Sequence, residues 1–189
     1  RGLDFEYRKV EFADPALRAA QLDAYLASGD PSRPLFLWVH LFEPHDPYLP
    51  PAPFDSRFAD DPYSGEIAAT DAALARLLEH PRFRREAEAI VSVIGDHGES
   101  LGEHGEATHG ILLHEATLHV PWLLAAPGIP PRRLGGLVSQ VDLAPTLLAL
   151  AGVTSDSALP GRNSLQAGEA GREIYAKTDY PEAAERQKG

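Results

Sequence analysis

Ala89-Ile90-Val91-Ser92-Val93-Ile94-Gly95-Asp96-His97-Gly98-Glu99 is an apolar, β-branched run that stops at an Asp-His pair set between two glycines. The run is continuous rather than alternating, which predicts a buried strand inside a largely parallel sheet. In open α/β sheets the ligand crevice lies beyond the carboxyl ends of the strands, so Asp96 and His97 stand where chemistry is done. A carboxylate and an imidazole side by side can share one divalent ion, and flanking glycines let backbone and ligand approach closely. Taken alone, the pair is also what a turn looks like when its Asp caps it and its His is solvated. The loop that follows, Glu99 to Gly110, adds His104, His109 and three glycines, a dense supply of ligand chemistry.

Outward from this stretch, helices alternate with strand-like runs. Asp14-Pro15 predicts a helix start, with Ala19, Leu22, Tyr25 and Leu26 on one face and Gly29 as the stop. Pro34 to Leu41 reads as a buried strand. Pro44 to Pro62 is dense in proline and reads as loop. Ser64 is placed as the cap of a helix whose face carries Ile67, Leu74, Leu77 and Leu78. After the Gly/His loop come a short helical piece over 111–118 and a third strand over 120–125. A fourth strand over 137–141 leads to a helix capped by Asp142 that ends near Gly152, and 173–178 reads as a further strand. Residues 181–189 read as a frayed polar tail. This alternation predicts an α/β class with a parallel-rich sheet between helical layers.

Composition narrows the function classes. The 189 residues are 43% hydrophobic with a net charge of −11, enough apolar content for a core and the wrong sign for a nucleic-acid surface. An anionic substrate remains compatible, because a bound cation reverses the local field. There is no cysteine, hence no disulfide and no thiolate metal site. No apolar stretch approaches the roughly 20 residues that span a bilayer.

Several stretches taken together carry a family likeness. They are Phe36-Leu37-Trp38-Val39-His40-Leu41-Phe42-Glu43-Pro44-His45-Asp46-Pro47-Tyr48, the Gly95–Gly110 loop, Val120-Pro121-Trp122 leading to Pro127-Gly128, and Val141-Asp142-Leu143-Ala144-Pro145-Thr146. Their order resembles the sulfatase family of the alkaline-phosphatase-like superfamily over about residues 34–165. The likeness is nearest to bacterial members with a Gly-Glu-His-Gly-x-x-x-His-Gly loop. It implies an alkaline-phosphatase-like three-layer αβα sandwich, of which residues 1–180 are the part that follows a missing N-terminal half. Family members carry upstream a pair of aspartates and a Cys or Ser in Cys/Ser-x-Pro-x-Arg, which becomes formylglycine. Neither Cys-x-Pro-x-Arg nor Ser-x-Pro-x-Arg occurs here, so the chain is expected to be a fragment that is inactive alone.

The resemblance implies a sulfuric ester hydrolase with a sulfate ester substrate. A phosphodiesterase, a phosphoethanolamine-type transferase on the same scaffold, or a non-catalytic anion-binding module remain alternatives. Asp96 and His97 are the implied metal ligands. Ca2+ is the first expectation, with Mg2+, Mn2+ or Zn2+ open, since many sulfatases have Asn where His97 stands. His45 is the implied donor to a sulfate oxygen or to the leaving alcohol. His109 stands near the position of a family lysine, and there is no Lys between Arg85 and Lys177. His104 is a candidate for orienting a ligand. His40, His114 and His119 read as packing or surface residues, and Glu99 and Glu103 as partners of loop amides. The family weakly favours the cell envelope or exterior.

Overall fold

The computed structural model describes residues 15–30, 32–83, 89–166 and 172–180. The chain divides into two compact units, Arg1–Arg85 and Glu86–Gly189. Asp14 and the tail 181–189 lie outside the described residues.

In the first unit, helix α1 runs over Pro15–Ser28, as the Asp-Pro start and Gly29 stop predict. Just past its end, the Arg82 guanidinium donates to Gly29 O at 3.4 Å and Asp30 O at 3.0 Å. Leu26 of α1 is the buried hydrophobic residue among those described, at 3% exposure. A one-turn helix, α2 (Phe54–Arg57), interrupts the proline-rich loop. Helix α3 spans Pro62–Leu78. Its cap is Asp61 and not Ser64: the Asp61 carboxylate accepts from Ser64 N at 3.1 Å, with Pro62 at the first helical position. The Ser64 hydroxyl and amide hold the Asp61 carboxyl below its usual range.

Residues 34–41 do not form a strand. Phe36 and Trp38 are 66% and 82% exposed. An apolar run becomes a strand only when a neighbour takes its backbone N–H and C=O groups, and among the described residues none does.

In the second unit, β1 (Val91–Ile94) and β2 (Trp122–Ala125) are neighbours, but they pair antiparallel and not parallel. The register sets Val91 opposite Ala125 and Ile94 opposite Trp122. A parallel pair needs a crossover that returns the chain to the starting edge. The 95–121 connection instead doubles back as a loop whose longest helix is the single turn α4 (Glu115–Leu118). The Trp122 indole N–H donates across the ladder to Ser92 Oγ at 3.0 Å. β1 is only half-buried, and β2 alternates, with Leu123 63% exposed; the expectation of strands buried on both faces does not hold here.

The expected strand over 137–141 is replaced by a 3-10 turn, Gln140–Asp142, that runs into α5 (Leu143–Leu150). The 173–178 stretch is not a strand. Most fully enclosed positions of this unit are polar: Ser100, Asp142 and Thr146 are 0% exposed. Each accepts or donates within the chain, as buried polar groups must.

Candidate metal centre and its histidines

The end of β1 places two donors on adjacent residues. Gly95 N donates to Pro121 O at 3.2 Å, one step beyond the ladder, after which the chain turns out at Asp96. Asp96 Oδ1 accepts from His97 N at 3.1 Å, and Asp96 Oδ2 stands 3.7 Å from His97 Nε2. His97 Nδ1 lies 2.9 Å from Gly98 O. A carbonyl oxygen can only accept, so Nδ1 is the donor there and Nε2 is the nitrogen on the side of the carboxylate. This is the arrangement in which a histidine ligates a metal, its other nitrogen donating to a carbonyl. A separation of 3.7 Å suits two donors that each stand about 2.0–2.4 Å from one ion. Among the described residues no group of three or more His, Cys, Asp or Glu is arranged to hold a metal ion. Asp96 and His97 thus bring two donors together, compatible in type and spacing with a divalent cation.

Gly98 seats this turn. Its N–H donates to Thr117 O at 2.9 Å, and a Cβ at this position would fall 2.0 Å from Ala116 O. Only a glycine allows the main chain to come this close to α4.

His109 joins the pair by stacking: its ring centroid is 3.9 Å from that of His97, with planes at 29°. His109 Nδ1 donates to Glu99 Oε1 at 3.0 Å, and the Glu99 side chain is 5% exposed. Glu99 thus accepts from Nδ1 and holds the His109 ring in place. The sequence assigned Glu99 to loop amides; it serves an imidazole instead.

His104 is engaged elsewhere in the loop. It adopts φ 56°, and its ring lies 4.6 Å from the ring of His114. His114 Nε2 is 3.5 Å from Glu106 Oε2. Glu106 accepts from Ile111 N at 2.7 Å and Leu112 N at 3.2 Å, while Ser100 Oγ donates to Glu103 O and Glu106 O at 3.0 and 2.9 Å. Buried carboxylate and hydroxyl groups thereby lock the glycine loop. The Glu103 carboxyl is held below its usual range, first by its own amide and then by that of Leu101. His119 pairs with Glu115 at 2.9 Å on the surface.

A brace comes from further along the chain. The Gln140 carboxamide donates to Gly95 O at 2.9 Å and to Asp96 O. The 3-10 turn that carries Gln140 is pinned by Asp142, whose carboxylate accepts from Ser139 N and Arg162 N at 2.9 Å each and pairs with Arg172. Asp142 is thus not the side-chain cap of α5, as the sequence suggested, but a buried anchor for three segments. Burial alone pushes its carboxyl up; the Arg172 guanidinium and the two amides outweigh this and bring it down to about 2.

His45 lies in the first unit. Its N–H donates to Glu66 Oε2 at 2.9 Å, and Leu49 N donates to Glu66 Oε1 at 2.7 Å. Glu66, 3% exposed on α3, thus clamps both ends of the Pro-His-x-Pro-Tyr turn. His45 Nδ1 donates to Asp46 O at 2.6 Å and the ring stacks on Phe42 at 4.3 Å. Tyr48 packs edge-on against Tyr63, at 5.3 Å. Sequence reading missed Glu66, Gln140 and Arg172. Each acts on residues far along the chain, and no local pattern marks such a contact.

A carboxylate and an imidazole presented at a strand end by a glycine turn, with a second histidine stacked on the first, suit an α/β protein that handles an anionic group beside a cation. The sulfatase family model matches residues 5–153, and the chain belongs to the sulfatase family. The uncharacterized sulfatase YidJ of Escherichia coli (strain K12) is 27% identical over 179 residues, which cover 72% of this chain and 35% of that protein. Mouse (Mus musculus) arylsulfatase K is 34% identical over 105 residues, 54% of this chain and 19% of its own length. A delta 4,5-hexuronate-2-O-sulfatase of Bacteroides thetaiotaomicron is 33% identical over 87 residues, 44% of this chain and 18% of its own length. The chain thus spans about a third or less of these relatives. No solved structure matches it. Family membership brings the alkaline-phosphatase-like α/β class, of which the described residues contain helices and a small antiparallel sheet. No helix among the described residues is long and apolar enough to cross a membrane.

Proposed function

We propose that this chain is part of a sulfuric ester hydrolase and contributes two of the ligands for a divalent cation, Asp96 and His97. The observation that carries the reading is the juxtaposition of Asp96 Oδ2 and His97 Nε2, 3.7 Å apart just past β1, with His97 Nδ1 2.9 Å from Gly98 O. The match of the sulfatase family over residues 5–153 supports the choice of sulfate ester. When bound, a divalent ion supplies polarisation of the ester oxygens and charge for the attacking group.

The chain's own residues do the rest. Asp96 and His97 hold the cation side of the anion. His109, its ring held by Glu99, is the proposed donor to the leaving oxygen, a role its Nε2 fills only in the imidazolium form because Nδ1 donates to Glu99. From the family resemblance, His45 is the proposed donor to an ester oxygen, a role its Nε2 fills only in the imidazolium form because Nδ1 donates to Asp46 O. Ca2+ is the proposed ion on the carboxylate's preference for hard cations; the imidazole keeps Mn2+ and Zn2+ in contention.

The test is a titration of the chain with Ca2+ and Mn2+, followed by the ring resonances of His97. Binding near Asp96 and His97 that disappears in Asp96→Ala is expected. Broadening of His97 by Mn2+ that survives Asp96→Ala would overturn the assignment. The choice between sulfate and phosphate is tested in the upstream coding sequence. Cys-x-Pro-x-Arg supports the sulfatase reading, and a lone Thr or Ser nucleophile replaces it with a phosphoryl-transfer reading, for which His97 in place of Asn is the favouring observation.

A further inference from the structure

We infer that Gln140 is a positioning residue for the Asp96–His97 pair, acting through the peptide plane between them; the inference rests on the metal reading above. Its carboxamide nitrogen donates to Gly95 O at 2.9 Å and to Asp96 O. A trans peptide directs its C=O and N–H to opposite sides. Fixing Asp96 O on the Gln140 side therefore fixes the His97 N–H on the other. That N–H, at 3.1 Å, is what holds Asp96 Oδ1. With Oδ1 held, Oδ2 is the oxygen that faces His97 Nε2. One carboxamide thus sets which carboxylate oxygen and which direction the cation meets.

The brace is itself immobilised. Gln140 opens the 3-10 turn whose third residue, Asp142, is fully buried and tied to Ser139, Arg162 and Arg172. The Gln140 side chain is exposed and belongs to no core, so its two bonds have no packing role to account for them. Neither bond touches a strand ladder. They terminate on the two carbonyls that flank the candidate ligand.

Gln140→Met keeps the length and removes the donors. The Mn2+ concentration that half-broadens the His97 ring resonances is expected to rise roughly tenfold, the usual effect of losing a group behind a metal ligand, while the melting temperature stays close to that of the parent. Unchanged Mn2+ response in Gln140→Met, with Asp96→Ala abolishing it, would overturn the positioning role and leave the metal site standing. A response insensitive to Asp96→Ala removes the metal site itself, and the inference with it. A second measurement needs no variant. By linkage, a cation that binds the oriented pair must also tighten the brace, so saturating Ca2+ is expected to slow hydrogen exchange of the Gln140 side-chain amide. Ca2+ that shifts His97 yet leaves this exchange rate unchanged would overturn the proposal.

Discussion

The imidazoles of His97 and His109 lie one upon the other, 3.9 Å between centroids, although one ends a strand and the other closes the glycine loop. Glu99 anchors His109 through Nδ1 at 3.0 Å and so helps to hold the stack. Glu99→Ala is therefore expected to release the His109 ring. It should erase the ring-to-ring nuclear Overhauser contact and cost about 1 kcal/mol, since the half-exposed Nδ1–H regains water. Urea unfolding and the two-dimensional spectrum check both.

Gly98→Ala is expected to be among the most damaging single changes in the second unit. The new Cβ would overlap Ala116 O at 2.0 Å, and that oxygen is backbone, so it cannot swing aside. A loss of about 2–4 kcal/mol, or displacement of the 96–98 turn from α4, is the expected outcome. Thermal unfolding and the exchange rate of the residue-98 amide measure it. A variant as stable as the parent would show that the turn is not seated as described.

Asp142 makes stability depend on acid. Its carboxyl ordinarily titrates at 3.8 and is brought down to about 2 in the folded chain. A depressed carboxyl contributes fully above the unfolded value and loses its contribution as pH falls from 3.8 through about 2. The contribution is on the order of 2 kcal/mol. Asp142→Asn is expected to be less stable than the parent by about that amount at pH 7, with the gap narrowing below about pH 4 and closed near pH 2. A gap that stays constant down to acid pH would rule out the ion pair as its source.

Glu66→Ala removes a buried acceptor shared by His45 N and Leu49 N. Both amides would lose a charge-assisted bond at once, a cost of about 2–4 kcal/mol. Faster exchange of these two amides is the expected signature, with Glu66→Gln intermediate because one of its two ends can still accept.

The purified chain is expected not to turn over aryl sulfates or aryl phosphates with Ca2+, Mg2+, Mn2+ or Zn2+ added. It contains no Cys-x-Pro-x-Arg or Ser-x-Pro-x-Arg nucleophile motif, and loss of a nucleophile alone removes most of an enzyme's rate. Turnover that vanishes in Asp96→Ala would point to an unrecognised nucleophile, with Ser100 or Thr108 the first to test.

The positions of β1 and β2 were legible as short apolar runs between turn residues, and α1 from its Asp-Pro start. Asp61-Pro62 carries the same Asp-Pro signal and marks the start of α3, three residues before Ser64. Strand direction was not legible, because it is set by the path of the 95–121 loop and not by the strands' composition. Residues 34–41, 137–141 and 173–178 have strand composition, but composition does not supply a hydrogen-bonding neighbour. Asp96, His97 and His109 stood out as ligand-rich residues in a glycine loop. What orients them, Glu99 and Gln140, did not: a Gln before Val-Asp has no local signature that ties it to Gly95 and Asp96.

The proton of His97 is assigned by the main-chain carbonyl of Gly98, whereas that of His109 is assigned by the side chain of Glu99. Every residue type has a carbonyl, so no substitution at position 98 deletes the first acceptor, while a single codon change at position 99 deletes the second. One histidine is wired into the backbone and the other into the genome's freedom to vary. A change at position 99 therefore removes the partner of His109 outright, while the partner of His97 is lost only if the 96–98 turn itself moves.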